Sequence, residues 1–281
     1  MNLKQILNIS RPRFWLYEMG TYFIGVLVAT NFLGDFLRPE ILIFGFFFLI
    51  PANILIYGVN DIFDYETDKL NPKKVEYEAL LVPEKHKSVW AWVLATNIPF
   101  VIYAFSLSAK TGIYLLIFYF FAFFYSAYPI RAKIRPFFDS LFSAGHYIFT
   151  GVFGYFLAGG EGFPLIGFIA GVLWAMAMHA YSAVPDIKAD TDAGLKTIAT
   201  WLGRDTTIIM CLLFYIASAA LFITLVGVFP LLAVLVYVGL MLWSLKEKDD
   251  SKLFKIYTYF PWVNFVTPMV WSIIYMVVKF G

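Results

Sequence analysis

Nine apolar runs recur along the chain, at about 14–33, 40–59, 89–108, 112–129, 138–158, 164–184, 205–228, 230–246 and 256–278. Each is close to the roughly 20 residues a helix needs to cross the hydrocarbon core of a bilayer. The runs are continuous rather than alternating, so they predict helices and not the strands of a barrel. The fold class predicted is therefore all-α integral membrane, a nine-transmembrane-helix bundle with residues 1–281 forming a single polytopic domain. The seventh and eighth runs are separated only by Gly227 to Pro230 and also read as one broken hairpin. The first run follows two arginines without a small-residue cleavage site, which marks it as retained rather than removed as a signal peptide.

The polar positions between the runs set an orientation. Of the 21 Lys and Arg, all but Arg38, Lys110 and Lys279 fall in the N-terminal segment or in the loops that return to its side. By the positive-inside rule the N-terminus is cytoplasmic and the C-terminus outside. A hydrophobic content of 61%, with 31 Phe and 18 Tyr, would leave a soluble domain unable to hide its apolar surface. The net charge of +2 is accounted for by topology, so nucleic acid is not an expected partner. The single cysteine, Cys211, falls in a predicted span, which excludes an intramolecular disulfide and points to a core position.

Against this apolar background two acidic clusters stand out. In YGVNDIFDYETDKLNPKK, residues 57–74, Asp61, Asp64 and Asp68 are spaced i, i+3, i+7, and Asn60 is four before Asp64. If the second helix continues beyond the membrane, these groups form one stripe, while Glu66 falls off it. Asn71 and Pro72 then end the helix. In HAYSAVPDIKADTDAGLKTIATWLG, residues 179–203, Asp186 and Asp190 are i, i+4 and share a face that Asp192 does not, and Pro185 suits the first turn of a new segment. Four spans separate the clusters, so both lie on the cytoplasmic side. Acidic loop residues of a membrane protein are most often simply solvated. Carboxylates stacked on one helix face repel one another, however, and two such motifs at equivalent helix ends call for a positive partner. Oxygen-only ligands suit a hard cation such as Mg²⁺, commonly shared with substrate phosphates.

These motifs resemble those of the UbiA superfamily of membrane prenyltransferases. The family's NDxxDxxxD appears as Asn60, Asp61, Asp64 and Asp68, and its second motif matches Asp186, Asp190, Gly194, Thr197, Leu202 and Gly203. SRPRFW at residues 10–15 and YSAYPIRAKIRPFFDS at residues 125–140 extend the likeness over most of the chain, and the segments between the motifs are most similar to the lycopene elongase group. The resemblance implies a bundle around a central cavity, a prenyl diphosphate held by Mg²⁺ between the two Asp motifs, and a lipophilic acceptor entering from membrane lipid. Dimethylallyl diphosphate as donor and a carotenoid such as lycopene as acceptor are the expected pair. An aromatic quinone precursor or another lipid acceptor stays open.

On that expectation Asp61, Asp64, Asp68, Asp186 and Asp190 are the metal ligands, with Asp64 and Asp186 central to catalysis, and Asn60 orients metal or phosphate. Arg13, Lys73, Arg131 and Lys133 are candidates for the diphosphate, with topology as the plain alternative for each. Tyr125, at the exit of the fourth span, offers a ring face to an allylic cation without offering a nucleophile. Glu18, His146 and His179 are ionisable groups inside spans; a neutral histidine bonded between helices is the commoner case, and their roles stay open with that of Asp192. Asn53 points toward the face of Asn60 and is a candidate for the cavity lining. The rival reading from another class is a cation transporter, which acidic helix mouths also suit. Its paired broken helices at the membrane midplane are not visible in the pattern.

Overall fold

The computed structural model describes residues 1–69, 80–228 and 230–281, and all regular structure in them is helical. Among these residues six helical segments are long and apolar enough to cross a membrane: Pro39–Phe63, Pro83–Leu107, Ala109–Ser126, Leu165–Asp192, Arg204–Val226 and Asp250–Phe280. The protein is thus a multi-pass, all-helical membrane protein. Nine crossings are not what length and apolarity alone return, and the differences have local causes. The helix in the first predicted run, Trp15–Ala29, has 15 residues. Pro230–Lys246 has 17. Phe138–Leu157 is long enough, but Asp139, Ser140, Ser143, His146 and Thr150 dilute its apolar character. Outward-facing side chains such as Leu232, Trp262, Ile273 and Val277 are largely exposed, which suits a lipid-facing surface and no aqueous one.

The chain divides into two compact units. The first comprises Met1–Ala132 with Phe149–Glu161. Its core is aromatic: Phe44 meets Phe153 edge-to-face at 4.6 Å, and Phe47 and Phe48 lie 4.8 Å apart. Such pairs each add about 0.5–1.5 kcal/mol beyond the area they bury. The Tyr22 hydroxyl donates to the carbonyl of Ile41 at 2.8 Å. In a bilayer, lipid tails remove the hydrophobic drive between helices, so close approach and hydrogen bonds decide the packing. Thr21 and Thr150 accordingly share a hydroxyl bond at 2.6 Å, and a Cβ on Gly25 would stand 1.8 Å from the Gly151 carbonyl oxygen. No side chain larger than hydrogen fits there.

The second apolar run is broken. Helix Pro39–Leu49 stops at Ile50, and helix Pro51–Phe63 restarts on a proline that has no N–H to give. Asn53 repairs the break, its Nδ2 donating to the carbonyls of Phe48 and Leu49 at 3.0 Å each. Its buried amide is thus occupied with the backbone rather than with a cavity. Asn97, from helix His86–Leu107, donates to the Pro51 carbonyl at 3.1 Å and accepts from the Tyr119 hydroxyl at 3.0 Å, joining three helices.

The second unit comprises Lys133–Ile148 with Gly162–Gly281. Helices Leu165–Ala183, Arg204–Val226 and Pro230–Lys246 are tied by polar side chains: Ser218 donates to the Ala170 carbonyl at 2.8 Å, and Tyr181 and Ser244 share a hydroxyl bond at 2.7 Å. Cys211 is buried and free, donating its thiol to Ala177.

Candidate functional site

In the first unit, helix Pro51–Phe63 delivers the acidic motif. The stripe is not one uninterrupted helix: a turn at Asp64 joins it to the short helix Tyr65–Asp68, although the Asp68 N–H still reaches the Asp64 carbonyl at 2.8 Å. Asp61 is 8% exposed and Asp64 1%; Asp68 is half-buried. An isolated ionised carboxylate taken out of water is costly, so buried ones are paired. Here the partners are arginines. Arg11 Nη2 reaches Asp61 Oδ1 at 2.8 Å, and Arg131 Nη2 reaches Asp64 Oδ1 at 3.4 Å. The Arg11 guanidinium also lies over the Tyr57 ring at 4.6 Å, and Arg131 donates to the Tyr128 hydroxyl at 2.7 Å. Both arginines sit in the left-handed backbone region, with φ of 51° for Arg11 and 44° for Arg131. That conformation costs a non-glycine residue on the order of 1 kcal/mol or more, and it persists only where the surroundings impose it.

Other predicted residues of this region take varied positions. Asn60 donates to the Ser126 hydroxyl at 3.1 Å, which ties the motif to the end of helix Ala109–Ser126. Tyr125, one residue earlier, is half-buried. Arg13 is exposed and its guanidinium stacks on the Phe14 ring at 4.8 Å. Glu66, off the stripe as expected, is exposed and pairs with Lys69. Glu18 is buried on Trp15–Ala29, within electrostatic reach of Tyr57. Lys73, with Asn71 and Pro72, lies outside the described residues.

In the second unit helix Leu165–Ala183 ends before Pro185, a tight turn covers Val184–Asp186, and helix Ile187–Asp192 follows, so Pro185 does open a new segment. Asp186 and Asp192 are exposed, and Asp190 is half-buried. Asp190 feels the charges of Asp186 and Lys133 and is bonded by the Thr197 side chain. Gly194 and Gly203 have φ of 69° and 76°, the left-handed turns that only glycine adopts without strain. His179 is half-buried and lies within electrostatic reach of His146, whose ring is 4.3 Å from that of Tyr147.

Two residues passed over in the sequence complete this picture. Arg11 is one. The other is Asp139, which is fully buried at the start of helix Phe138–Leu157 and accepts the N–H groups of Ser140 at 2.8 Å and Ile198 at 2.7 Å. Ile198 opens the short helix Ile198–Leu202 directly after Thr197, so Asp139 braces the loop that carries the second motif. The signals lay in segments already singled out, SRPRFW and RPFFDS, but neither segment says which charge meets which.

The donor chemistry of Asp61, Asp64, Asp68, Asp186 and Asp190 is all oxygen and anionic, which fits a hard divalent cation. Among the described residues no three His, Cys, Asp or Glu side chains are gathered as a ready metal-binding group. In the first motif the carboxylates of Asp61 and Asp64 face guanidiniums.

Residues 19–267 match the family described as the UbiA prenyltransferase family. The lycopene elongase/hydratase of Haloarcula japonica is 37% identical over 272 residues, 97% of this chain and 91% of that protein. That of Halobacterium salinarum is 37% identical over 271 residues, 96% of each. Among solved structures, a UbiA homolog from Archaeoglobus fulgidus bound to GPP and Mg²⁺ aligns with a TM-score of 0.68 at 18% identity, covering 94% of this chain and 99% of its own. That likeness is one of fold.

Proposed function

The chain belongs to the UbiA prenyltransferase family and is an intramembrane prenyltransferase; from that premise we propose that it moves an allylic prenyl group from dimethylallyl diphosphate to a carotenoid end such as that of lycopene. The observation that carries the reading is the pair of buried carboxylates, Asp61 and Asp64, set beside guanidiniums at the end of a membrane helix. Identity of 37% to lycopene elongase/hydratases supports the carotenoid acceptor.

Asp61, Asp64 and Asp68 with Asp186 and Asp190 are the residues proposed to hold Mg²⁺. When bound, that ion neutralises the charge gathering on the diphosphate. Arg13, Lys73, Arg131 and Lys133 meet phosphate oxygens, and Asn60 orients them. In the reaction the allylic carbon–oxygen bond breaks and its electron pair leaves on the diphosphate. A double bond of the acceptor supplies the pair for the new carbon–carbon bond, and the positive charge left on the acceptor is discharged by loss of a proton. Tyr125 stabilises the allylic cation through its ring face, and the apolar surroundings keep water from it. The proposed topology has nine crossings, with the N-terminus and both Asp motifs cytoplasmic, the C-terminus outside and residues 1–281 acting as one domain.

The test uses the full chain in lipid vesicles with radiolabelled dimethylallyl diphosphate, Mg²⁺ and lycopene. Label enters an elongated carotenoid with the wild type and not with Asp64→Ala. Label appearing only in added 4-hydroxybenzoate would move the acceptor to the quinone precursors, and ion flux without diphosphate would favour the transporter reading.

A further inference from the structure

Resting on that reading, we propose that Arg11 and Arg131 are built-in counter-ions of the first acidic motif: they hold Asp61 and Asp64 in the metal-free protein and must be displaced before metal binds, so that metal and diphosphate enter together. Three observations within the first unit carry this. Each guanidinium lies at ion-pair distance from a carboxylate of the motif, 2.8 Å for Arg11–Asp61 and 3.4 Å for Arg131–Asp64, and all four side chains are 19% exposed or less. Among the described residues only Arg11, Arg131 and Phe137 are non-glycines with positive φ, so two of the three sit at this motif. Strained backbone concentrated at the partners of one acidic stripe marks an arrangement imposed by the site. Each guanidinium also packs on a local aromatic ring while it is paired, Tyr57 at 4.6 Å for Arg11 and Tyr128 at 5.2 Å for Arg131, a contact that does not depend on the carboxylate's charge.

The consequence follows from charge. A divalent cation arriving alone meets carboxylates already neutralised and two positive groups within a few ångströms of its ligands. A diphosphate arriving with it offers the guanidiniums a new anionic partner, in the bidentate geometry arginine favours, and frees the carboxylates for metal. The two ligands are therefore coupled, and by linkage each tightens the other equally.

Mn²⁺ binding to the full chain in detergent, followed by electron paramagnetic resonance with and without inorganic pyrophosphate, tests this without turnover. The wild type should bind Mn²⁺ weakly alone and at least about tenfold more tightly with pyrophosphate, within the usual range of coupling. Arg11→Met should bind Mn²⁺ alone about tenfold more tightly than the wild type and lose most of the coupling, and its thermal midpoint in EDTA should fall and be restored by Mn²⁺. Arg11→Lys, which keeps the charge, should stay close to wild type; Arg131→Met gives the same reading should Arg11→Met not fold. Unchanged or weaker Mn²⁺ binding alone in both Met variants overturns the counter-ion role while leaving the prenyltransferase reading intact. A wild type that binds no Mn²⁺ even with pyrophosphate overturns both.

Discussion

Asp61 and Asp64 are buried and face guanidiniums, whereas Asp186 is exposed, Asp190 half-buried, and the buried carboxylate of that region, Asp139, is occupied by backbone amides. One sequence pattern, acidic residues three or four apart at the end of a membrane helix, is thus supported in two ways. The first motif keeps its charge in a low-dielectric place by internal ion pairs, which ties its carboxylates to stability. The second has Asp186 exposed and Asp190 half-buried with a Thr197 bond, and a fully buried neighbour, Asp139, holds the loop that follows. A substitution at the first motif should therefore disturb folding and chemistry together, and one at the second should separate them.

The largest effect expected is at Asp64. Asp64→Leu takes the carboxylate from the half-buried Arg131 guanidinium, which keeps only its neutral partners Tyr128 and Phe63, a loss of up to about 3 kcal/mol, and the thermal midpoint in EDTA should drop by several degrees. Asp186→Leu, at an exposed position, should move the midpoint less while prenyl transfer collapses. Equal midpoints for the two variants would erase the contrast. Next is Asp139→Leu, which orphans the Ile198 N–H and should cost about 2 kcal/mol. Because the loop it braces follows directly on the helix that carries Asp190, transfer should fall further than the midpoint alone explains, and Asp139→Asn, which still accepts a bond, should recover most of both. A smaller loss, about 1 kcal/mol, is expected for Asn53→Leu, which strips the carbonyls of Phe48 and Leu49 of their donor above the motif; urea unfolding in detergent checks it. Least of all, Glu66→Ala breaks an exposed pair with Lys69 and should give no measurable shift in midpoint or rate.

Much of this contrast was legible in the chain, and the part that was not has a common cause. Hydropathy marks where helices run because burial in lipid is a property of whole segments. The i, i+3, i+7 spacing marks Asp61, Asp64 and Asp68 as the end of one helix, but not the turn at Asp64 that interrupts the stripe, nor that Asp186 lies in the turn ahead of the helix that carries Asp190. Pro185 announces its new segment. Pro51 was the harder proline, since an apolar run continues across it. Asn53 spans the break at Ile50, its amide serving the carbonyls of Phe48 and Leu49. Arg11 and Asp139 act across 50 and 59 positions of sequence, where no periodicity reaches. Arg11 stands two residues from Arg13, and the sequence does not distinguish them. What turns Arg11 toward Asp61 is a left-handed backbone angle ahead of Pro12, and no pattern of residue types encodes that.

The most direct measurement is equilibrium binding of a non-reactive dimethylallyl diphosphate analogue to the reconstituted protein, titrated with Mg²⁺ and then with EDTA. Binding in the wild type should require the metal, reverse when it is chelated, and be lost in both Asp64→Asn and Asp186→Asn. Binding of equal strength in EDTA, or retained by both variants in Mg²⁺, would contradict the assignment of the acidic motifs to a metal-held diphosphate.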